Sequence, residues 1–118
     1  MSRPSAGSGH LAQAAPLFAA LGDETRLALV NRLSAEGPQS ISRLTTGTGS
    51  AITRQAITKH LQILAEAGLA HDSRRGRERI WTLDAHRLDE ARLYLEQIAQ
   101  RWEEALERLR QFVEKEEH

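Results

Sequence analysis

A heptad repeat near the carboxyl end constrains the fold of this chain more than any other feature of its sequence. Apolar residues follow one another in steps of three and four: Leu88, Ala91, Leu95, Ile98, Trp102, Ala105, Leu109 and Phe112. This spacing predicts a long helix over about 85–115 with one apolar stripe. The stripe is too long for the short elements before it to cover. Its expected partner is a second copy of the chain, and the alternative is a helix that folds back over its own domain.

A shorter apolar helix is predicted near the amino end, over about 10–21, and we expect it to pack against the long one. The predicted dimer interface takes apolar residues from both helices: Leu11, Phe18, Leu88, Leu95, Ile98, Trp102 and Leu109.

The length and the lack of cysteine narrow the possible classes of protein. A chain of 118 residues is long enough for one domain, and without cysteine it has no disulfides, thiolate metal sites or cysteine nucleophiles. No apolar run approaches the roughly 18–20 residues of a membrane span, and residues 1–9 do not resemble a signal peptide. We therefore expect a soluble cytoplasmic protein with a flexible tail at 1–9 and a single domain at 10–118.

The net charge of zero hides an uneven distribution along the chain. Residues 40–80 hold seven basic and three acidic residues, whereas residues 84–118 hold six basic and ten acidic residues. A basic middle and an acidic end indicate a surface that binds a polyanion and a separate helix with another role.

Two further short helices are predicted between the amino-terminal helix and this basic region. Asp23 is a good N-cap for a helix over about 24–35, whose apolar face is expected to consist of Leu27, Val30 and Leu33. A third, short helix follows it. The run of Thr, Gly and Ser at 46–50 then predicts a turn.

The next helix, over about 54–67, is the most clearly delimited segment. Thr53 can cap it, and Ile57, Leu61 and Leu64 form one apolar stripe along it. A glycine directly after the helix, followed by leucine, is typical of a Schellman end.

A β-hairpin over about 69–83 is predicted after this helix. Its strands cover 69–73 and 78–83, and the arginine-rich segment 74–77 forms the turn. The resulting order of four helices, a hairpin and a long final helix is that of a winged helix-turn-helix. The predicted fold class is therefore mainly α with a small β-hairpin.

The helix over 54–67 has the surface of a recognition helix. Gln55, Lys59 and Gln62 point away from its apolar stripe on a helical wheel, and Arg54 and Thr58 flank them. The DNA major groove admits one α-helix, in which Gln can bind adenine and Arg or Lys can bind guanine. His60, nearer the apolar stripe, is expected to be a half-buried packing or hydrogen-bonding residue.

Arginines in the hairpin favour contacts with phosphates or the minor groove, although a solvated turn is the alternative. Gln55, Thr58 and Lys59 are predicted to contact bases, whereas Arg43 and Arg54 are predicted to contact phosphates. The complete set of predicted DNA-binding residues is Arg43, Arg54, Gln55, Thr58, Lys59, Gln62, Arg74, Arg75, Arg77 and Arg79.

Five short segments in this order resemble the ArsR/SmtB family of bacterial repressors. They are Leu21-Gly22-Asp23-Glu24-Thr25-Arg26-Leu27, Ile57-Thr58-Lys59-His60-Leu61, Leu64-Ala65-Glu66-Ala67-Gly68-Leu69, Arg75-Gly76-Arg77 and Trp81-Thr82-Leu83. The resemblance covers roughly residues 12–113. It implies a homodimeric winged helix-turn-helix repressor in which the first and last helices form the dimer and the fourth helix enters the major groove.

Many members of this family release DNA when they bind a metal ion, and the resemblance locates half of such a site here. Asp84 and His86 match the Asp-x-His half of the family's zinc site. The positions that would supply the partner's ligands are Gln97 and Gln100, and amide oxygens are poor zinc ligands. We therefore predict no metal and no other cofactor, and leave a small-molecule inducer open.

The predicted function is sequence-specific binding of double-stranded DNA by a homodimeric repressor at an inverted repeat. An enzyme is not expected, because the sequence shows no nucleophile with a matching base and no phosphate-binding glycine motif. Two alternatives are a protein-interaction module with a basic surface and a metal-responsive repressor that uses Asp84 and His86. RNA binding is disfavoured, since the basic segment has few aromatic residues for base stacking.

Overall fold

The computed structural model describes residues 6–46 and 52–116, with side chains from residue 12 onward. Its elements in chain order are α1 (Ala6–Leu21), α2 (Glu24–Glu36), β1 (Gln39–Ser40), α3 (Ile41–Thr46), α4 (Arg54–Glu66), β2 (Ala70–Arg75), β3 (Glu78–Leu83) and α5 (Ala85–Glu116). The predicted class, mainly α with a small hairpin and a long last helix, is confirmed.

Two predictions concern residues outside this description. Most of the predicted turn at 46–50 lies there, as do residues 1–5 of the predicted tail. The helix α1 begins at Ala6, so the prediction that it starts at about His10 is wrong by four residues.

The predicted helix caps are present at both α2 and α4. The Asp23 carboxylate accepts a hydrogen bond from the backbone amide of Arg26 at 3.0 Å, and the Thr53 hydroxyl accepts one from the amide of Ala56 at 3.1 Å. Each cap satisfies one of the amides that a helix start leaves without a partner.

The end of α4 has the predicted Schellman geometry. The Leu69 amide donates to the Leu64 carbonyl at 2.9 Å, and the Gly68 amide donates to the Ala65 carbonyl at 2.9 Å. Gly68 adopts a φ of 79°, which glycine tolerates better than other residues. Leu64 and Leu69 are both fully buried, so the end of α4 is held in the core.

The core lies between α1, α2, α3, α4 and the hairpin. Its most completely buried side chains are Leu17, Leu29, Leu44, Ile57, Leu61, Leu64 and Leu69, with Trp81 of β3 beside them. The expectation that Leu27 belongs to the core is wrong, because α2 turns Leu29, Val30 and Leu33 inward and leaves Leu27 53% exposed. Spacing alone therefore located the buried stripe of α4 correctly but wrongly included Leu27 in the buried stripe of α2.

The predicted hairpin is present as β2 and β3, and a third strand extends it to a three-stranded antiparallel sheet with strand order β1-β3-β2. The strand β1 pairs Gln39 with Trp81 and Ser40 with Ile80. The sequence did not predict this strand, because two residues are too few to show an alternating pattern of polar and apolar side chains. The hairpin turn is also shorter than predicted. Arg74 and Arg75 belong to β2, opposite Arg79 and Glu78, since a turn with Gly76 at a φ of 64° needs only two residues.

The helix α5 extends well beyond the other elements. The molecule as a whole is 71 Å long along its longest axis. Near its start it lies beside α1, where the rings of Phe18 and Tyr94 are 5.9 Å apart. Ala91 is the one residue of α5 that is buried among the described residues. No helix in the described part of the chain is both long and apolar enough to cross a membrane.

Candidate nucleic-acid interface

The helix α4 separates an apolar face from a polar face. Ile57, Leu61 and Leu64 are fully buried and bind α4 to the core. The opposite face forms one shallow concave surface, which we call the α4 surface. It is lined by Arg54, Gln55, Thr58, Lys59 and Gln62. The five α4 residues predicted from the helical wheel therefore lie together on one side of the molecule.

Most side chains of the α4 surface extend into solvent. Arg54, Gln55, Lys59 and Gln62 are exposed, whereas Thr58 is half-buried. The Thr58 hydroxyl donates to the carbonyl of Arg54 at 2.9 Å, which leaves its oxygen as a hydrogen-bond acceptor. Gln55, Lys59 and Gln62 are therefore exposed to contact with another molecule, as is Arg54.

A second concave surface joins the α4 surface at Arg54. This arginine groove, about 180 Å³ in volume, lies between the start of α3, the start of α4 and the hairpin. It is lined by Ser40, Ile41, Ser42, Arg54, Arg74, Arg77, Glu78 and Arg79. Arg54 also donates to the hydroxyl of Ser42 at 3.3 Å. The groove gathers four guanidinium groups around one small space, an arrangement suited to a polyanion such as the phosphate backbone of DNA.

The hairpin arginines have different surroundings. Arg79 forms an ion pair with Asp72 at 2.9 Å, which sequence analysis missed because the two residues meet only across the strands. Arg74 lies directly opposite Arg79, so two like charges face each other, while Arg75 lies opposite Glu78. Arg77 is in the turn itself. Arg43, predicted with this set, is exposed on α3.

Comparison with known proteins adds independent information about this surface. A family model described as a helix-turn-helix domain matches residues 21–72. The HTH-type transcriptional regulator Rv2034 of Mycobacterium tuberculosis is 34% identical over 97 residues, which cover 82% of this chain and 85% of that protein. An ArsR-like transcriptional regulator from Rhodococcus sp. RHA1 has a similar structure, with a TM-score of 0.76 and 36% identity over 88% of this chain and 95% of that one. The chain belongs to the ArsR family of transcriptional regulators.

A further structure resembles this ArsR-family regulator. It is the homodimeric winged helix-turn-helix DNA-binding domain of Mb0332 from Mycobacterium bovis, with a TM-score of 0.65 and 26% identity. The likeness covers 85% of this chain and 89% of that one. The fold of this chain is therefore a winged helix-turn-helix, in which the hairpin of β2 and β3 is called the wing.

Arg26 of α2 links three helices behind the α4 surface. Arg26 of α2 donates to the carbonyls of Ala20 at 2.6 Å and Ala19 at 3.4 Å, at the end of α1. Its guanidinium also lies 3.3 Å from Nδ1 of His60 on α4. His60 is half-buried, as expected, and its Nδ1 faces the guanidinium of Arg26. Sequence analysis missed Arg26, because its partners are backbone carbonyls of another helix.

Asp23 completes this cluster and has a perturbed pKa. The hydrogen bond from the Arg26 amide, with the nearby Arg26 and His60 side chains, holds the pKa of the Asp23 carboxyl below its ordinary value of 3.8. The Asp23 carboxylate lies 3.8 Å from Nδ1 of His60. The charge on Asp23 therefore favours the folded state.

The predicted dimer residues fall into two groups in this ArsR-family regulator. Leu95, Ile98, Trp102 and Leu109 are exposed on α5, and Trp102 is 65% exposed. Phe18 and Leu88 instead pack against the core of their own chain. The side chain of Leu11 lies outside the described part of the structure. The exposed stripe also includes Leu106 and Val113, which the strict heptad omitted.

The two residues of the zinc half-site have other contacts. The Asp84 carboxylate accepts a hydrogen bond from the Arg87 amide at 3.0 Å and so caps α5. The exposed His86 places Nε2 3.1 Å from a Glu90 oxygen. Within the described ranges, no three His, Asp or Glu side chains are grouped so that they could hold a metal ion.

Proposed function

We propose that this protein is a homodimeric, sequence-specific DNA-binding repressor. The observation that supports this most strongly is the continuity between the α4 surface and the arginine groove, which share Arg54. A helix with exposed Gln and Lys next to clustered arginines suits a ligand with readable base edges and flanking phosphates.

The proposed roles follow from where the side chains lie. Gln55, Lys59 and Gln62 are exposed on the face of α4 opposite its buried stripe and contact base edges, and Thr58 contributes an acceptor oxygen beside them. Arg54 and Arg43 contact phosphates. In the wing, Arg74, Arg75 and Arg77 do the same, whereas Arg79 must first leave Asp72 or share it.

The proposed dimer is formed by the exposed stripe of α5. A helix with Leu, Ile and Trp side chains about half exposed or more along one stripe is rarely stable alone in water. A second copy supplies a matching stripe, since a two-fold interface uses the same residues from both chains. The homodimeric Mb0332 domain, similar over 85% of this chain, supports the same assembly.

A two-fold dimer presents two recognition helices in opposite directions. Its proposed operator is therefore an inverted repeat, with half-sites spaced by about one or two turns of DNA, roughly 34–36 Å per turn. Repression through occupancy of this operator follows the resemblance to the ArsR/SmtB repressors. Because the proposed ligand is bacterial chromosomal DNA, the proposed compartment is the cytoplasm.

In vitro selection of duplexes from a random library, followed by titration at several salt concentrations, tests this function. We expect an inverted repeat. If three or four of the five arginines proposed to contact phosphates in each chain neutralise them at the same time, the slope of log K against log salt is about −5 to −7, at roughly −0.9 per phosphate. The variant R75A/R77A should make the slope shallower.

The control variant R101A/R108A removes two exposed arginines from α5 instead and should leave the slope unchanged. A wild-type slope shallower than about −2, or no effect of R75A/R77A, would show that the basic middle of the chain is not a DNA surface.

A further inference from the structure

The beginning of α5 is fastened to the end of α4 by two hydrogen bonds. The Asp84 amide donates to the Leu69 carbonyl at 2.9 Å. Three residues later, Nε of Arg87 donates to the Ala67 carbonyl at 3.1 Å. Both acceptors belong to the backbone segment that closes the recognition helix, so the first turn of α5 is tied directly to α4.

Arg87 reaches more of the fold than a surface arginine does. Its Nη1 donates to Glu90 at 2.7 Å, and its Nη2 lies 3.5 Å from the carbonyl of Gln13 on α1. Its own amide is held by the Asp84 carboxylate. One side chain, 25% exposed, thus connects the end of α4 with α5 and α1.

The chemistry at the end of α4 is well suited to this cation. The last carbonyls of a helix lack intrahelical partners and carry the negative end of the helix dipole. A guanidinium that donates to the Ala67 carbonyl gives this carbonyl a hydrogen-bond partner and places a positive charge at the negative end of the dipole. Gly68 leaves room for it, because a Cβ at that position would lie 3.1 Å from Nε of Arg87.

The link is important because α4 and α5 otherwise approach each other little. Among the described elements, α5 packs mainly against α1, and α4 packs mainly against α3 and α2. The orientation of α4 relative to α5 is therefore set through α1, through the core and through the polar link at Arg87.

We propose that Arg87 is a positioning residue that aligns the recognition helix with the dimer helix. This rests on the proposed function. In a dimer formed by α5, the angle between α4 and α5 sets the spacing of the two recognition helices, and that spacing affects binding only if the ligand is DNA. Lysine cannot replace it fully, because one ammonium group cannot reproduce a planar fork that donates in several directions.

The test compares R87K and R87Q with the matched variants R92K and R92Q. Arg92 lies on the same helix, but its ion pairs within the described part of the chain are with Asp89 at 2.8 Å and Glu96 at 2.6 Å, both on α5 itself. The probes are the duplex that the wild-type protein selects, a duplex with one half-site, and duplexes with the half-site spacing changed by one or two base pairs. Melting temperature and sedimentation are measured on every variant.

For R87K and R87Q we expect dimers whose affinity for one half-site is unchanged. Their preference for the complete site over one half-site should fall about ten-fold, the factor expected for one charge-assisted hydrogen bond. Their discrimination between the natural and altered spacings should weaken as well. R92K and R92Q should behave as the wild type does.

Three results would contradict the alignment role. One is that both Arg87 variants keep the wild-type preference for the complete site over one half-site and for the natural spacing over the altered spacings. Another is an equal loss of affinity for half-site and complete site, which would mean that Arg87 supports only the folding of the DNA-binding region. The third is the same loss in the Arg92 variants. If the wild-type protein selects no duplex, the proposed function itself fails, and that outcome is distinct from all three.

Discussion

The helices α4 and α5 are both amphipathic, yet their apolar stripes have opposite surroundings. Ile57, Leu61 and Leu64 of α4 are fully buried within one chain. In α5, Trp102 is 65% exposed and Leu109 is 58% exposed. The sequence periodicity is equally clear in both helices, so periodicity identifies a stripe and not what covers it.

The difference shows what each helix has left to bind. The exposed face of α4 is polar and basic, which suits an anionic partner with hydrogen-bonding groups. The exposed face of α5 is apolar with charged edges, which suits another apolar stripe. One chain therefore presents two separate surfaces that can each bind another molecule, and the proposed dimer on DNA covers both of them.

The largest predicted effect comes from placing charge on the α5 stripe. The double variant L95E/W102E should change a dimer into a monomer in sedimentation experiments. Four apolar side chains would be lost from the interface, at about 1.5–3 kcal/mol each, so the dissociation constant should rise about ten-thousand-fold or more.

The matched control, Q100E/Q111E, adds the same charge to the other side of α5 and should remain dimeric. If the wild-type protein were monomeric at micromolar concentration, or if the two double variants had the same oligomeric state, the stripe of α5 would not be a dimer interface.

A second experiment compares the same truncation in the two stripes. The variant L64A removes a fully buried side chain from α4 and should lower the free energy of unfolding by about 2–5 kcal/mol at any protein concentration. The variant L109A should act mainly on the dimer, so its destabilisation should shrink as the protein is diluted. Denaturant unfolding at several protein concentrations separates the two, and a concentration-independent loss in L109A would refute our account of α5.

A third experiment addresses the polar face of α4. The variant Q55A should lose about 1–3 kcal/mol of operator affinity and accept more than one base at a single position, because a base contact is removed. The control Q100A makes the same truncation on α5 and should bind DNA normally. Unchanged affinity and unchanged sequence preference in Q55A would mean that α4 lies in the groove at another angle.

The smallest predicted effect concerns the contact between α2 and α4 at Asp23. Because the folded state lowers the pKa of this carboxyl below 3.8, the charge stabilises the fold above that pH, and the contribution is lost as the pH falls through the folded-state pKa. Relative to D23N, the wild-type protein should therefore have a stability advantage near neutral pH that disappears in acid. Thermal unfolding from pH 6 down to about 3 measures it, and a difference that does not vary with pH would exclude the charge as its cause.

Much of the fold was predictable because the relevant signals are local. Asp23 and Thr53 cap helices within three residues of themselves, and Gly68 ends α4 through bonds to neighbouring residues. The α4 surface was predictable for the same reason, since a helix determines which side chains share a face. The roles proposed for those side chains in DNA binding remain predictions.

Other features depend on contacts between segments that are distant in the chain. The strand β1 exists because Gln39 and Ser40 meet β3. Arg79 is paired because β2 places Asp72 beside it. Arg26 and Arg87 bind backbone carbonyls, which every residue possesses, so no pattern of side chains could have revealed those bonds.

The sequence by itself determined which segments are helices, where α2 and α4 are capped, and which face of α4 is apolar. It could do so because caps, turns and helical periodicity act over only a few residues. The tertiary structure alone decided which face of α2 is buried, which arginines share a groove with Arg54, and how Arg87 joins α5 to α4. Those outcomes depend on how the elements pack against one another, and packing brings together residues that no local pattern relates.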